Sequence, residues 1–161
     1  MHGDIRHTSM SSYAILNGHL SDFYLYNKSV VGGNDYDIFI YLIFALWNVP
    51  LYIAGYTAET LGSIAMLYNK LLPIIFWLLS AYVLYRIIRK SKISARSAFY
   101  IAFMSFTTVY VLVMCAGMGM YDSLYMFFIL MGIYFFTRES SKWDMLLLSL
   151  IHILYDRLSR C

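Results

Sequence analysis

Long apolar runs fill most of this chain after residue 36, and they restrict its fold more than any other feature. A helix crosses the hydrocarbon core of a bilayer when about 20 consecutive residues are mainly apolar. Of the 161 residues, 61% are hydrophobic and 13% are charged. A soluble domain has nearer half apolar and about a quarter charged residues. We therefore predict an all-α protein, a polytopic membrane helical bundle.

Three runs are predicted to be membrane spans: Leu71 to Ile88, Ser97 to about Met118, and Leu124 to Phe136. A fourth run, Trp143 to Tyr155, is only just long enough and is expected to be tilted or incomplete. Pro73 is expected in the first turn of the first span, where a missing backbone N–H costs little.

The basic residues predict the orientation of these spans. Five of them, with no acid among them, follow the first span: Arg86, Arg89, Lys90, Lys92 and Arg96. The connection before Leu124 holds Asp122 and no base. Because basic residues are retained in cytoplasmic loops, residues 86–96 are predicted to be cytoplasmic. Asp122 and the residues just before Leu71 are then predicted to lie on the opposite side.

The apolar segment from Tyr36 to Tyr56 allows two interpretations. If it crosses the membrane, residues 1–35 are cytoplasmic. If it is a re-entrant or interfacial helix, they are extracytoplasmic, and Asn48, Pro50 and the tyrosines at both ends favour this second arrangement. Residues 62–68 could extend this interfacial segment or lengthen the next helix.

The polar front segment carries most of the interpretable chemistry. Ser9 to Leu16 is predicted to form a short helix that stops at Asn17-Gly18, because glycine accepts the left-handed backbone that ends helices. His7 and His19 are more commonly surface histidines than ligands, and their spacing matches no zinc signature. Asp22 could simply cap the turn that follows it.

Several short patterns in this segment point to a known family. They are Asp4-x-x-His7, Ser9-x-x-x-Tyr13 with its preceding serines, Asn17-Gly18-His19 and Asp22-Phe23-Tyr24. Together they resemble the first external loop of the GT-C fold glycosyltransferases, multi-span enzymes that use polyprenyl-phosphate sugars and include mannosyltransferases and aminoarabinose transferases. The resemblance covers roughly residues 4 to 138.

Two later motifs extend the resemblance. Residues 119–122, Gly-Met-Tyr-Asp, are similar to the family's Gly-Gln-x-Asp helix opening, with Met120 in place of Gln. Residues 69–73, Asn-Lys-Leu-Leu-Pro, resemble the family's entrance to its second span. Asp122 could equally be a helix N-cap, a role that does not exclude a functional one.

The resemblance implies a sugar transfer from a polyprenyl phosphate and assigns roles to residues of this chain. Asp4 is the expected general base for the acceptor hydroxyl. A cation is expected to stabilise the leaving phosphate, with Lys70 as first candidate and Arg6 and His7 as alternatives. The remaining predicted substrate-binding residues are Tyr13, Tyr24 and Asp122, the tyrosines through sugar stacking or membrane anchoring.

The implied partners are a polyprenyl-phosphate sugar donor, the lipid bilayer and an extracytoplasmic glycan, lipid or protein acceptor, with no nucleic acid. No cofactor is certain. Some relatives require a divalent cation, which Asp4 with Asp122 or Asp35 could hold.

Four regions are therefore expected. Residues 1–35 form an extracytoplasmic catalytic-type loop, 36–68 an interfacial or re-entrant helical segment, 69–147 transmembrane helices, and 148–161 a doubtful tail. The tail begins with Leu-Ser-Leu-Ile-His-Ile, which resembles the peptide encoded by a transposon-end adaptor from sequencing libraries. Because relatives have about a dozen spans, the chain is expected to be a fragment that is inactive alone, with Met1 internal to a longer protein.

Two other classes of membrane protein, a transporter and a membrane anchor, are alternatives to the transferase. Part of a transporter or a flippase-like polysaccharide protein would need ionisable residues within its spans. Arg86 is the one charge near the body of a clear span, and it can reach the membrane surface. A membrane anchor would need fewer acids, bases and histidines than the front segment contains.

Overall fold

The computed structural model describes residues 3–30, 37–61, 63–108 and 122–137. Within these ranges the chain forms helices and no strand, so the all-α prediction is confirmed there. The helices are α1 (Gly3–Leu16), α2 (Phe23–Val30), α3 (Ile38–Ile53), α4 (Ser63–Lys90), α5 (Ala95–Phe106) and α6 (Asp122–Phe136). The predicted run at Trp143 to Tyr155 and the end of the Ser97 to Met118 run lie outside the described residues.

The chain divides into two compact units, Met1–Leu72 and Pro73–Cys161. In the first unit α1 packs along α3. The buried positions of α3 repeat at helical spacing, as expected for a helix with one packed face: Ile40, Tyr41, Phe44, Ala45 and Asn48.

The packed side of α1 is unusual because small hydroxyl residues form much of it. Thr8, Ser9, Ser11 and Ser12 are all fully buried. The Ser9 hydroxyl donates to the carbonyl of Ile5 at 2.6 Å, and the Ser12 hydroxyl donates to the carbonyl of Ser9 at 2.7 Å. Serine side chains are small, and their hydroxyl groups can donate hydrogen bonds to carbonyls of their own helix. Such side chains allow the backbones of two helices to approach closely. Residues 3–16 are therefore a packed helix and not an open loop.

The end of α1 follows the sequence prediction. Gly18 has φ +93°, and the N–H groups of Gly18 and His19 donate to the carbonyls of Ile15 and Ala14 at 3.0 Å each. This pair of bonds is the Schellman arrangement that closes helices with a left-handed glycine. The stop at residues 17–18 is confirmed, whereas the helix begins at Gly3 instead of the predicted Ser9.

Apolar contacts join α2 to both neighbouring helices. Ala14, Phe23 and Tyr41 form one buried cluster, against which Ile15, Tyr26 and Ile38 pack. The Phe23 and Tyr41 rings lie 4.9 Å apart. The three helices α1, α2 and α3 therefore share one apolar contact region.

A buried hydrogen bond also connects α1 to α3. The side-chain amide of Asn48 donates to the Ser12 hydroxyl at 3.0 Å, and both residues are fully buried. Asn48 is a polar residue within the apolar helix α3, and its side chain has a polar partner on the adjacent helix. A hydrogen bond of this kind between packed helices contributes about 0.6–2 kcal/mol.

We expect Asn48→Ala to lower the free energy of unfolding by about 1–2 kcal/mol, because it leaves a buried hydroxyl without its donor and creates a small cavity. Thermal unfolding of the purified chain in detergent, followed by circular dichroism, measures the change. Asn17→Ala is the matched control, since Asn17 is exposed. Equal shifts for the two variants would show that the Asn48–Ser12 bond does not hold the helices together.

Within the described residues, one helix is long and apolar enough to cross a membrane, Ala65–Lys90 of α4. Its 26 residues extend roughly 39 Å at 1.5 Å per residue, beyond the hydrocarbon thickness of about 30 Å. The apolar helix α3 has 16 residues and extends only about 24 Å. The apolar helix α6, with 15 residues, is shorter still.

The start of α4 corrects one prediction. Residues from Ser63 onward lengthen the next helix, which was one of the two alternatives for 62–68, so Pro73 lies inside α4 and not in its first turn. The missing N–H of Pro73 leaves the carbonyl of Asn69 without its usual helical donor. Membrane helices tolerate such a proline because neighbouring groups can satisfy the freed carbonyl.

In the second unit α4 and α6 run in the same direction. The Ser80 hydroxyl lies 3.4 Å from the carbonyl of Ser123, at the start of α6. At the end of α4, Lys90 Nζ lies 3.0 Å from the carbonyl of Tyr134, near the end of α6. The C-terminal ends of both helices therefore lie together.

Candidate functional site

The three charged or titratable residues predicted at the front of the chain lie on the first two turns of α1. Asp4 is in the first turn of α1. Arg6 is exposed and His7 is half-buried. The predicted base and two of the predicted cations are thus carried by one helix, which its packing against α3 holds in place.

Tyr13 occupies a different environment from the one predicted. Its side chain is 1% exposed, and its ring lies 6.1 Å from that of Tyr52. Burial, and secondarily the nearby Tyr68 hydroxyl, raises the pKa of Tyr13. Because the ring presents no face to solvent, the observed position is that of a core residue. A role in sugar stacking stays a prediction that this position does not favour.

Tyr24 lies at the start of α2, with 37% of its side chain exposed. Its hydroxyl accepts the backbone N–H of Ile38 at 3.2 Å and so satisfies a free donor at the beginning of α3. The residue therefore joins two helices, and its exposed edge is also accessible to a ligand.

The two other predicted residues lie further along the chain. Lys70 is half-buried in the second turn of α4, which begins at Ser63. Asp122 is exposed in the first turn of α6, where its charge complements the helix N-terminus. Asp35 and residues 119–121 lie outside the described residues.

His19 and Asp22, in the turn between α1 and α2, form a polar cluster with Tyr26 of α2. None of the three was among the predicted site residues. The Nδ1 atom of His19 lies 3.2 Å from an Asp22 carboxylate oxygen. The His19 and Tyr26 rings stack with centroids 3.7 Å apart and planes 11° from parallel. A carboxylate on Nδ1 fixes the tautomer that leaves Nε2 as a proton acceptor. This arrangement can therefore serve as an oriented base at the protein surface.

The sequence signal for this cluster was the spacing of its members. His19 and Asp22 are three residues apart, and Tyr26 follows one helical turn after Asp22. Sequence reasoning treated His19 and Asp22 separately, as a surface histidine and a helix cap. The sequence alone does not show that the turn after α1 brings the side chains of His19 and Asp22 into contact.

A second arrangement that the sequence did not indicate fixes the start of α4 against α3. The indole N–H of Trp47 donates to the carbonyl of Tyr68 at 3.2 Å, and the Tyr68 hydroxyl donates to the carbonyl of Trp47 at 2.9 Å. The two rings stack at 4.8 Å. Lys70 follows Tyr68 by two residues, so this double contact restrains the backbone that carries the predicted cation.

The described part of the chain contains no group of three or more histidine, cysteine or acidic residues arranged to hold a metal ion. Of the carboxylates named above for a divalent cation, Asp4 and Asp122 belong to separate units and Asp35 lies outside the described residues.

Comparisons with known proteins give no family for this chain. No protein-family model matches it, and neither a curated protein nor a solved structure matches it. The resemblance of the front segment to GT-C glycosyltransferases consequently rests on the residues quoted above and on them alone.

Proposed function

We propose that this chain supplies the first external loop and early spans of an integral membrane glycosyltransferase of the GT-C type. The enzyme transfers a sugar from a polyprenyl-phosphate donor to an extracytoplasmic acceptor. The observation that carries the proposal is the packing of α1, with Asp4, Arg6 and His7 in its first two turns, against the apolar helix α3. A catalytic carboxylate needs such a support, because it must be held in position relative to the reacting atoms.

The proposed reaction is a single displacement at the anomeric carbon. The acceptor hydroxyl oxygen forms the new bond to that carbon, the bond from the carbon to the phosphate oxygen breaks, and the polyprenyl phosphate leaves. The Asp4 carboxylate takes the hydroxyl proton. Lys70, with Arg6 and His7 as alternatives, stabilises the negative charge that develops on the leaving phosphate.

The proposed membrane arrangement is multi-pass. It assigns α4 and α6 as parallel spans with their C-terminal ends in the cytoplasm, and it assigns α1, α2 and α3 to the extracytoplasmic surface. The clustered basic residues at 86–96 support this orientation. Tyr24 and Asp122 are assigned to donor or acceptor binding.

The direct test of this function is a transfer assay in membranes that contain the protein encoded by the complete reading frame. Polyprenyl-phosphate mannose and polyprenyl-phosphate aminoarabinose, each labelled in the sugar, are supplied separately. We expect label from one of them to appear in a glycan, lipid or protein, with release of polyprenyl phosphate. Membranes that lack the protein are the control. Movement of the intact donor across the membrane without release of polyprenyl phosphate would contradict a transferase and favour a flippase.

A further inference from the structure

The C-terminal end of α4 concentrates positive charge that the proposed sugar transfer does not use. Five basic residues lie between positions 86 and 96, with no acid among them. Among the described residues, none of the five forms an ion pair with a carboxylate, since the described ion pair is His19 with Asp22. This basic end also lies at the terminus of the helix that is long enough to cross a membrane.

Arg86 and Lys90 are held in place by tyrosines and by the end of α6. The Arg86 guanidinium donates to the Tyr82 hydroxyl at 2.8 Å and to the Tyr134 hydroxyl at 3.5 Å. Lys90 Nζ donates to the Tyr134 carbonyl at 3.0 Å and to the Thr137 hydroxyl at 3.2 Å, and lies 4.1 Å from the centre of the Tyr134 ring. These contacts position the two charges side by side.

Both cations keep free donors in this arrangement. An arginine side chain has five N–H donors, and two nitrogens of Arg86 are engaged by tyrosine hydroxyls. A lysine has three N–H donors, and the Lys90 ammonium uses two. The remaining donors are suited to a second, negatively charged acceptor such as a phosphate.

A groove lies beside these charges, between α4 and α6. Its volume is about 190 Å³, and it is lined by Tyr82, Val83, Arg86, Met131 and Tyr134. The lining is therefore apolar or aromatic, with one guanidinium. Such a groove matches a molecule that has a hydrocarbon part joined to an anionic group.

We propose that this groove, hereafter the α4–α6 groove, binds an anionic phospholipid. The lipid phosphate contacts Arg86 and Lys90, and the adjoining part of an acyl chain lies along Val83 and Met131. Charge complementarity selects an anionic lipid over a neutral one, because clustered Lys and Arg at the end of a membrane helix attract acidic headgroups. The apolar lining distinguishes a lipid from a soluble phosphate, which has nothing to place there. The proposal rests on α4 crossing a membrane and not on the sugar transfer.

Native mass spectrometry of the purified 161-residue chain in neutral detergent tests the proposal. The chain is titrated with phosphatidylglycerol and, separately, with phosphatidylcholine of the same acyl chains. We expect preferential binding of phosphatidylglycerol. Because each basic residue near a headgroup contributes roughly a fivefold increase in affinity, the double variant Arg86→Gln/Lys90→Gln should lose about 30-fold in affinity for phosphatidylglycerol.

The double variant Lys92→Gln/Arg96→Gln is the matched control. It removes the same charge from the same basic stretch, 86–96, at residues that do not line the groove and for which no contact with the end of α6, such as Lys90 makes, is described. Retained preference in this control is expected. Equal loss in both double variants would overturn the groove site in favour of general attraction by the loop, and equal binding of the two lipids by the unchanged chain would overturn it as well.

Lys90 also contacts the end of α6, so the first double variant could lose structure. Its helical content is therefore checked by circular dichroism, and Met131→Trp provides a second variant that fills the groove without changing charge. We expect Met131→Trp to weaken phosphatidylglycerol binding severalfold. Unchanged binding in Met131→Trp would contradict occupation of the groove, whatever the result of the charge variants.

Discussion

Asp4→Asn is expected to lower the rate of sugar transfer by about 10²–10⁴-fold, the usual contribution of a positioned general base. Asparagine has nearly the same shape as aspartate but does not take up the proton of the acceptor hydroxyl at neutral pH. Both residue types are accepted at the beginning of a helix, so α1 should remain intact. The measurement is the initial rate of sugar transfer, compared between membranes that contain the Asp4→Asn protein and membranes that contain an equal amount of the unchanged protein.

Glu59→Gln is the control for this prediction. Glu59 is an exposed acid in the same unit, in the segment between α3 and α4, and we give it no role in transfer. Its variant should transfer sugar at the unchanged rate. Full activity of Asp4→Asn would remove Asp4 from the role of base. A loss of activity in His19→Asn instead would then identify the His19–Asp22 pair as the base.

Tyr13→Ala is expected to lower the free energy of unfolding by about 3–5 kcal/mol, the range found when a large buried aromatic side chain is truncated. Tyr13 is among the largest fully buried side chains, and it lies in the packed region of α1. The loss is a large part of the total stability of a typical domain, about 5–15 kcal/mol. The measurement is chemical unfolding of the purified chain in detergent micelles.

Tyr13→Phe separates the ring of this residue from its hydroxyl. The hydroxyl is buried, and no hydrogen-bond partner for it exists among the described residues. Since removing an unpaired polar group from a core is nearly neutral or stabilising, we expect a change of less than about 1 kcal/mol. Unchanged transfer in this variant would support a core role for Tyr13. A large fall in transfer with normal stability would show that the hydroxyl contacts substrate, contrary to the buried position.

The local features of the fold were accessible from the sequence because they depend on neighbouring residues. The stop of α1 at Gly18 needs only a residue that accepts a positive φ. The all-α class follows from apolar runs that are too long for strands. The length of α4 was left open because Ala65 to Tyr68 is apolar enough both for an interfacial segment and for a helix that continues through Pro73.

Tertiary contacts account for what the sequence did not predict. The polar residues Thr8, Ser9 and Ser12 suggest exposure, but all three are buried where α1 packs along α3, and Ser12 accepts a hydrogen bond from Asn48 of α3. The same packing removes Tyr13 from the surface. The His19–Asp22–Tyr26 group depends on the conformation of the turn between α1 and α2, which residue type alone does not specify.

In the proposed arrangement α4 crosses the membrane, with residues 1–61 on the outer side and residues 86–96 in the cytoplasm. Ser21→Cys and Ser91→Cys test it directly, since both serines are exposed in turns on either side of α4 and the substitution is nearly isosteric. Both variants are made in a chain whose Cys115 and Cys161 are replaced by serine. A membrane-impermeant maleimide is then applied to intact cells.

We expect the cysteine at position 21 to react in intact cells and the cysteine at position 91 to react only after permeabilisation. The reverse pattern would invert the orientation and place Asp4 away from the proposed donor. Reaction of both cysteines under the same condition would place residues 21 and 91 on one side of the membrane, as expected if α3 also crosses it, and would contradict the transferase arrangement, which needs an extracytoplasmic front segment.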